Sequence, residues 1–122
     1  ERLTSTLFHS SVHVNASSTM TVDGAIFDRP QIGPAYHSNE KLDRIARELY
    51  QREHYLPISN SGGLEIVFSR NELINAINKA IQFPGRLSEG RKKIVKEIAT
   101  YNDGDSTTRV NQALHEFLVD RN

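Results

Sequence analysis

Ser17, Ser18 and Thr19 are three consecutive hydroxyl residues. They sit between a β-branched run, Val12-His13-Val14, and a helical pattern built on Met20, Val22, Ala25 and Ile26. A strand that turns into a helix leaves the first N–H groups of the helix without intrahelical partners, and the aligned peptide dipoles place partial positive charge there. Such an end receives phosphates and other anions, and hydroxyls at the same place add donors. Asp23 follows Thr19 by four residues, so the two share a helical face. With ~1.5 Å of rise per residue, the carboxylate lies about 6 Å further along the axis, a spacing that suits a ribose attached to a phosphate held at Ser18. Without a ligand, the same residues read as an ordinary N-cap followed by an acid that the dipole favours.

Other chemistry-bearing residues carry less. His37 follows Pro34-Ala35-Tyr36, in a loop at the carboxyl end of a strand, where ligands of open α/β sheets bind. His13, inside a strand, reads as a packed or edge residue. His54, at a helix end, suits the dipole, and His9 and His115 carry no signal. No histidine pair has the spacing of a metal site, so none is predicted. Ser61-Gly62-Gly63 reads as a turn at the amino end of a strand, and Arg91-Lys92-Lys93 as a solvated helix face. Asn15-Ala16-Ser17 has the form of a glycosylation acceptor, but no secretory signal accompanies it. There is no Gly-x-Ser-x-Gly elbow, no Walker loop and no Gly-x-Gly-x-x-Gly.

The elements that must position these residues alternate. Residues 2–10, with Leu3 and Leu7 four apart, read as the end of a helix. A helix from Ser18 to Phe27 stops at Asp28-Arg29-Pro30, and Gln31-Ile32-Gly33 is a short strand closed by Gly33-Pro34. Ser38-Asn39 caps a helix carrying Leu42, Ile45, Ala46 and Leu49, which ends near Tyr55. After the turn-rich loop at 59–63, Leu64 to Phe68 is the strongest strand signal. Ser69 and Glu72 form a capping box for a helix with Leu73, Ile74, Ile77 and Ile81, broken by Pro84-Gly85. Leu87, Ile94, Val95 and Ile98 mark the next helix. The last begins near Asp105 and carries Val110, Ala113, Leu114, Phe117 and Leu118 on one face.

Strands separated by helices imply parallel crossovers. The predicted class is α/β: a partial doubly wound, Rossmann-like domain whose three-stranded parallel sheet has helices on both faces. Residues 12–15, 31–33 and 64–68 are expected to pair in that order. Val12, Val14, Ile32, Ile66 and Phe68 are expected to be buried under Ile26, Ile45, Leu49, Ile77, Ile98 and Leu114.

A complete doubly wound sheet has about six strands, so the chain, 122 residues and one domain throughout, reads as the C-terminal part of such a domain. Lys plus Arg and Asp plus Glu are 15 each, a balance that argues against a dedicated nucleic-acid binder. Without cysteine, disulfides and thiolate metal sites are excluded. No apolar run approaches the roughly 20 residues of a bilayer span. These features lead to an expected cytoplasmic location, with peripheral membrane association of a full-length parent left open.

The segment VNASSTMTVDGAIFDRPQI, Val14 to Ile32, resembles the donor-binding motif in the C-terminal Rossmann domain of GT-B glycosyltransferases and their relatives. The later order of elements is similar to the tails of bacterial polysaccharide transferases. The resemblance implies a nucleotide-sugar donor, with Ser17, Ser18 and Thr19 as phosphate ligands and Asp23 as the ribose ligand. His37 becomes a candidate contact to the donor sugar. In these families the ribose ligand is usually Glu and the turn residue usually Gly, where this chain has Asp23 and Asp28. Asp tolerates the left-handed conformation better than most residues. No resident cofactor is implied, and no residue here is a credible general base. Related nucleotide-sugar epimerases and CDP-polyol phosphotransferases use the same nucleotide half. A non-catalytic oligomerisation module is the reading from another class. A missing N-terminal domain of the same protein is the expected partner. The isolated chain is expected to lack transferase activity and to self-associate through the unpaired edge of its first strand.

Overall fold

The computed structural model describes residues 2–119. Helix α1 (Arg2–His9) precedes strand β1 (His13–Val14), and helix α2 (Met20–Ile26) leads to β2 (Gln31–Pro34). Helix α3 (Glu40–Leu49), a 3-10 turn at Glu53–Tyr55 and the short α4 (Leu56–Ser59) lead to β3 (Leu64–Val67). Helix α5 (Arg70–Gln82) follows, then α6 (Ser88–Ile94), which continues as a π-helical turn over Val95–Ala99, and α7 (Ser106–Val119).

The sheet has the predicted order β1-β2-β3, and both pairings are parallel. His13 aligns with Gln31, and Gln31 with Leu64. Helices lie on both faces. On one, Ile32 and Val67 pack against Ala76 and Ala80 of α5. On the other, Leu64 packs with Ala25 of α2, Ile58 of α4, Ile94 of α6 and the rings of Tyr50 and Tyr55. Local caps start two of the helices. The Asn39 side chain accepts from the Lys41 and Leu42 amides, and Ser69 Oγ accepts from the Glu72 amide. Glu72 returns a carboxylate oxygen to the Phe68 amide at 2.8 Å, completing a box one residue wider than expected.

Several expected burials are corrected. Val14 is 46% exposed, while His13 is buried. Side chains alternate along a strand, and the register sets His13 beside Gln31 on the α2 face. Val14 then faces the α5 side, where α5 packs on β2 and β3. Phe68 lies just past β3 and is exposed, with the Arg47 guanidinium 4.9 Å from its ring centroid. Ile98 and Leu114 are exposed instead of covering the sheet. Ile32 is buried as expected, and Val12 and Ile66 are half-buried. Arg91, read as part of a solvated face, is 1% exposed. Its guanidinium reaches Asp28, Arg86 and Pro84, so only Lys92 and Lys93 of that triplet face solvent. No helix among the described residues is long and apolar enough to cross a membrane.

Candidate functional site

β1 ends with the Asn15 amide donating to the Ile32 carbonyl at 3.1 Å. The chain then turns sharply at Ser17, whose φ is 45°. This turn lies at the carboxyl end of β1 and delivers the chain into α2. The loop holding His37 leaves the carboxyl end of β2, the neighbouring strand.

Ser17, Ser18 and Thr19 share the turn but use their groups differently. The Ser17 amide donates to the Tyr50 hydroxyl at 3.1 Å, and its Oγ donates to the Leu49 carbonyl at 3.2 Å. Both donors of Ser17 therefore point into the protein. Ser18 Oγ accepts from the Met20 amide, two residues on, at 3.2 Å, a local bond just ahead of the Thr19 N-cap position. The Thr19 side chain makes no capping bond and is exposed. Among the described residues, the Ser18 and Thr19 amides meet no acceptor. Asp23, one turn into the helix, is exposed.

His37 is exposed and belongs to the start of α3. Its amide donates to Asp43 Oδ1 at 3.0 Å, and its Nδ1 accepts from the Asn39 amide at 3.0 Å. That acceptance puts the ring proton of neutral His37 on Nε2. The structure groups Ser17, Ser18, Thr19 and Asp23 on one strand–turn–helix unit, and no hydrogen bond joins His37 to any of them.

Two residues that the sequence reading missed brace this turn from inside. Tyr50 Oη accepts from Ser17 and lies 3.2 Å from the Pro34 carbonyl and 3.4 Å from that of Asn15. Tyr55 Oη lies 3.0 Å from Thr21 Oγ1 and donates to the Ser18 carbonyl at 3.3 Å. Thr21 Oγ1 in turn donates to Asn15 Oδ1 at 2.9 Å. The two rings meet edge-to-face, with centroids 5.7 Å apart. Burial pushes the Tyr50 hydroxyl up to about 12, so it works as a neutral donor and acceptor. Gly33 makes room for the ring, because a methyl group there would sit 2.7 Å from Tyr50 Oη. A signal for Tyr50 was present: it follows Ala46 by four residues and so extends the apolar face of α3.

The carbonyls of Asn15, Ser18 and Thr19 and the Asn15 side-chain oxygen all accept bonds from within the protein. The Ser18 and Thr19 amides and the carbonyls of Ala16 and Ser17 meet no partner among the described residues, and the Thr19 side chain is exposed. The cleft that borders the turn, about 220 Å³ between α1 and β1, touches it at Asn15 and Met20. That is smaller than the roughly 300–1,000 Å³ of ordinary ligand pockets. Among the described residues, no cluster of His, Asp and Glu is placed to hold a metal ion. Searches among protein-family models, curated proteins and solved structures found no match to this chain.

Tyr50→Phe is expected to destabilise the domain by about 1–3 kcal/mol, because it takes the acceptor from the Ser17 amide and the one hydroxyl proton that the Pro34 and Asn15 carbonyls share. Chemical denaturation measures the loss. Hydrogen exchange at the Ser17 amide is expected to accelerate, and an unchanged rate there would show that the hydroxyl does not anchor the turn.

Proposed function

We propose that this chain forms the donor-nucleotide side of a glycosyltransferase that moves a sugar from a nucleotide-sugar to an acceptor. The diphosphate is received at the Ser18 and Thr19 amides with the Thr19 hydroxyl, and the ribose lies against Asp23. Ser17 braces the turn, a change from the ligand role that the resemblance implies for it. The observation that carries the reading is a turn at the carboxyl end of a parallel sheet whose Ser18 and Thr19 amides meet no acceptor among the described residues and whose Thr19 side chain is exposed. Donor amides held without reorganisation stabilise a leaving diphosphate. The same half-site serves a nucleotide-sugar epimerase or a CDP-polyol phosphotransferase equally well.

The test is an NMR titration with UDP, CDP and GDP, and separately with inorganic pyrophosphate. Shifts are expected to concentrate at residues 15–23. Asp23→Ala is expected to weaken nucleoside diphosphate about tenfold, the equivalent of ~1.4 kcal/mol, and to leave pyrophosphate unchanged. Equal weakening of both would remove Asp23 from the ribose. No shift at residues 15–23 with any of these ligands would favour the second reading, a docking module without a nucleotide. That reading draws on the exposed Val110 and Leu114 of α7 and the exposed Val14 at the sheet edge.

A further inference from the structure

His13 ties three elements together. Its Nε2–H donates to the Leu7 carbonyl of α1 at 3.1 Å, and its Nδ1 accepts from Gln31 Nε2 on β2 at 3.0 Å. The same Gln31 amino group donates to the Arg29 carbonyl at 2.8 Å. Gly24 of α2 closes the space behind, since a methyl group there would overlap both the ring and the Gln31 amide. This pattern requires neutral imidazole with its proton on Nε2. We propose that His13 is an acid-sensitive latch that holds α1 against the edge of the sheet.

A second ring proton has no acceptor. On Nδ1 it would face the Gln31 amino group, so that two donors oppose each other. Turning the Gln31 amide would set Oε1 against the Arg29 carbonyl. The amino group would move to the place where Oε1 now lies buried without a partner. The Arg29 guanidinium is the charged group that acts on the ring. Asp23 on α2 is exposed, and α1 contributes the Leu7 carbonyl and no carboxylate. Burial lowers His13 from its ordinary value of 6.5, the Leu7 bond opposes this, and Arg29 lowers it further. The docked form thus binds fewer protons than the released form. Docking is complete above 6.5 and weakens as pH falls below that value.

Little else retains α1. Leu7 is its one buried residue, and Phe8 packs edge-to-face on Phe27 at 5.8 Å with the Arg29 guanidinium 5.4 Å from its ring centroid. Helices held by few buried contacts open first. Release of α1 exposes Leu7 and opens the cleft that lies against Val12 and against Val14 of the edge strand β1.

Hydrogen-exchange protection of residues 3–9, followed from about pH 7.5 to about pH 5 and corrected for intrinsic rates, tests the latch. Protection is expected to fall by up to about tenfold per pH unit below 6.5, while α5 amides hold theirs. In His13→Gln, whose amide offers a donor that does not titrate, the pH dependence should vanish. Ring-nitrogen NMR of the unaltered protein gives a readout that needs no variant: His13 should titrate below 6.5 from an Nε2–H tautomer. Flat protection of α1, the same slope in His13→Gln, or titration above 6.5 would each overturn the proposal.

Discussion

Gly90→Ala is expected to destabilise the domain by about 3 kcal/mol, the upper end of the range for overpacking. Helix α6 crosses the Gly62-Gly63 turn backbone against backbone. A methyl group on Gly90 would overlap the Gly62 carbonyl group and the Gly63 nitrogen, and one on Gly63 would lie 2.7 Å from the Gly90 carbonyl oxygen. Neither neighbour is a side chain that can swing aside, so α6 must lift. That movement would drag Ile94, fully buried, out of the core and pull Arg91 from its partners. With a urea m-value of about 1.5 kcal/mol/M, the midpoint should fall by about 2 M. Gly85→Ala is the control, because nothing lies within 4 Å of a methyl group there. A Gly90→Ala midpoint indistinguishable from that of the control would mean that the crossing has slack and that the two glycines are incidental.

Asp28→Ala should cost at least as much, for a different reason. Asp28 sits at φ 50° and accepts from Arg91 Nε at 2.7 Å and Ser88 Oγ at 2.8 Å. Arg91 completes its bonding with the Arg86 and Pro84 carbonyls, each at 2.8 Å. A guanidinium stays charged, so removing its carboxylate leaves a buried cation uncompensated. Breaking a buried pair in this way costs about 3–5 kcal/mol. The Asp28 side chain is half exposed, so water partly replaces it and the low end, about 3 kcal/mol, is expected. Alanine at a left-handed φ adds about 1 kcal/mol. Glu89→Ala, which removes a solvent-exposed partner of Lys92, should cost less than about 1 kcal/mol. A comparable loss in the two variants would show that the Asp28–Arg91 pair is worth no more than a surface contact.

The same pair predicts acid sensitivity. Burial raises Asp28, but the hydrogen bonds from Arg91 and Ser88 outweigh it and hold the carboxyl below its ordinary 3.8. The folded form therefore binds fewer protons, and this contribution is present above 3.8 and fades as pH falls through the folded value. Asp28 thereby fastens the α2–β2 turn to α6.

The amino-acid sequence alone dictated whatever depends on neighbours along the chain. The alternation of periods predicted a parallel sheet in the order β1-β2-β3. Asn39 and the Ser69–Glu72 pair marked helix starts, because caps act within one turn. The strand–turn–helix form placed Ser17, Ser18, Thr19 and Asp23 on one unit for the same reason. How the three hydroxyls divide their work was not legible. Tyr50 lies 33 residues from Ser17 and Tyr55 37 from Ser18, and only folding brings them together. Arg91 lay within the spacing of Leu87, Ile94 and Ile98, yet a charge is buried only where an acceptor waits, and Asp28 is 63 residues away. Val14 and Leu114 were apolar at the right spacing and are exposed nonetheless. Periodicity tells which side of an element seeks cover, but the covering surface comes from segments distant in sequence. For β1 and α7 the tertiary arrangement of residues 2–119 leaves those faces in solvent.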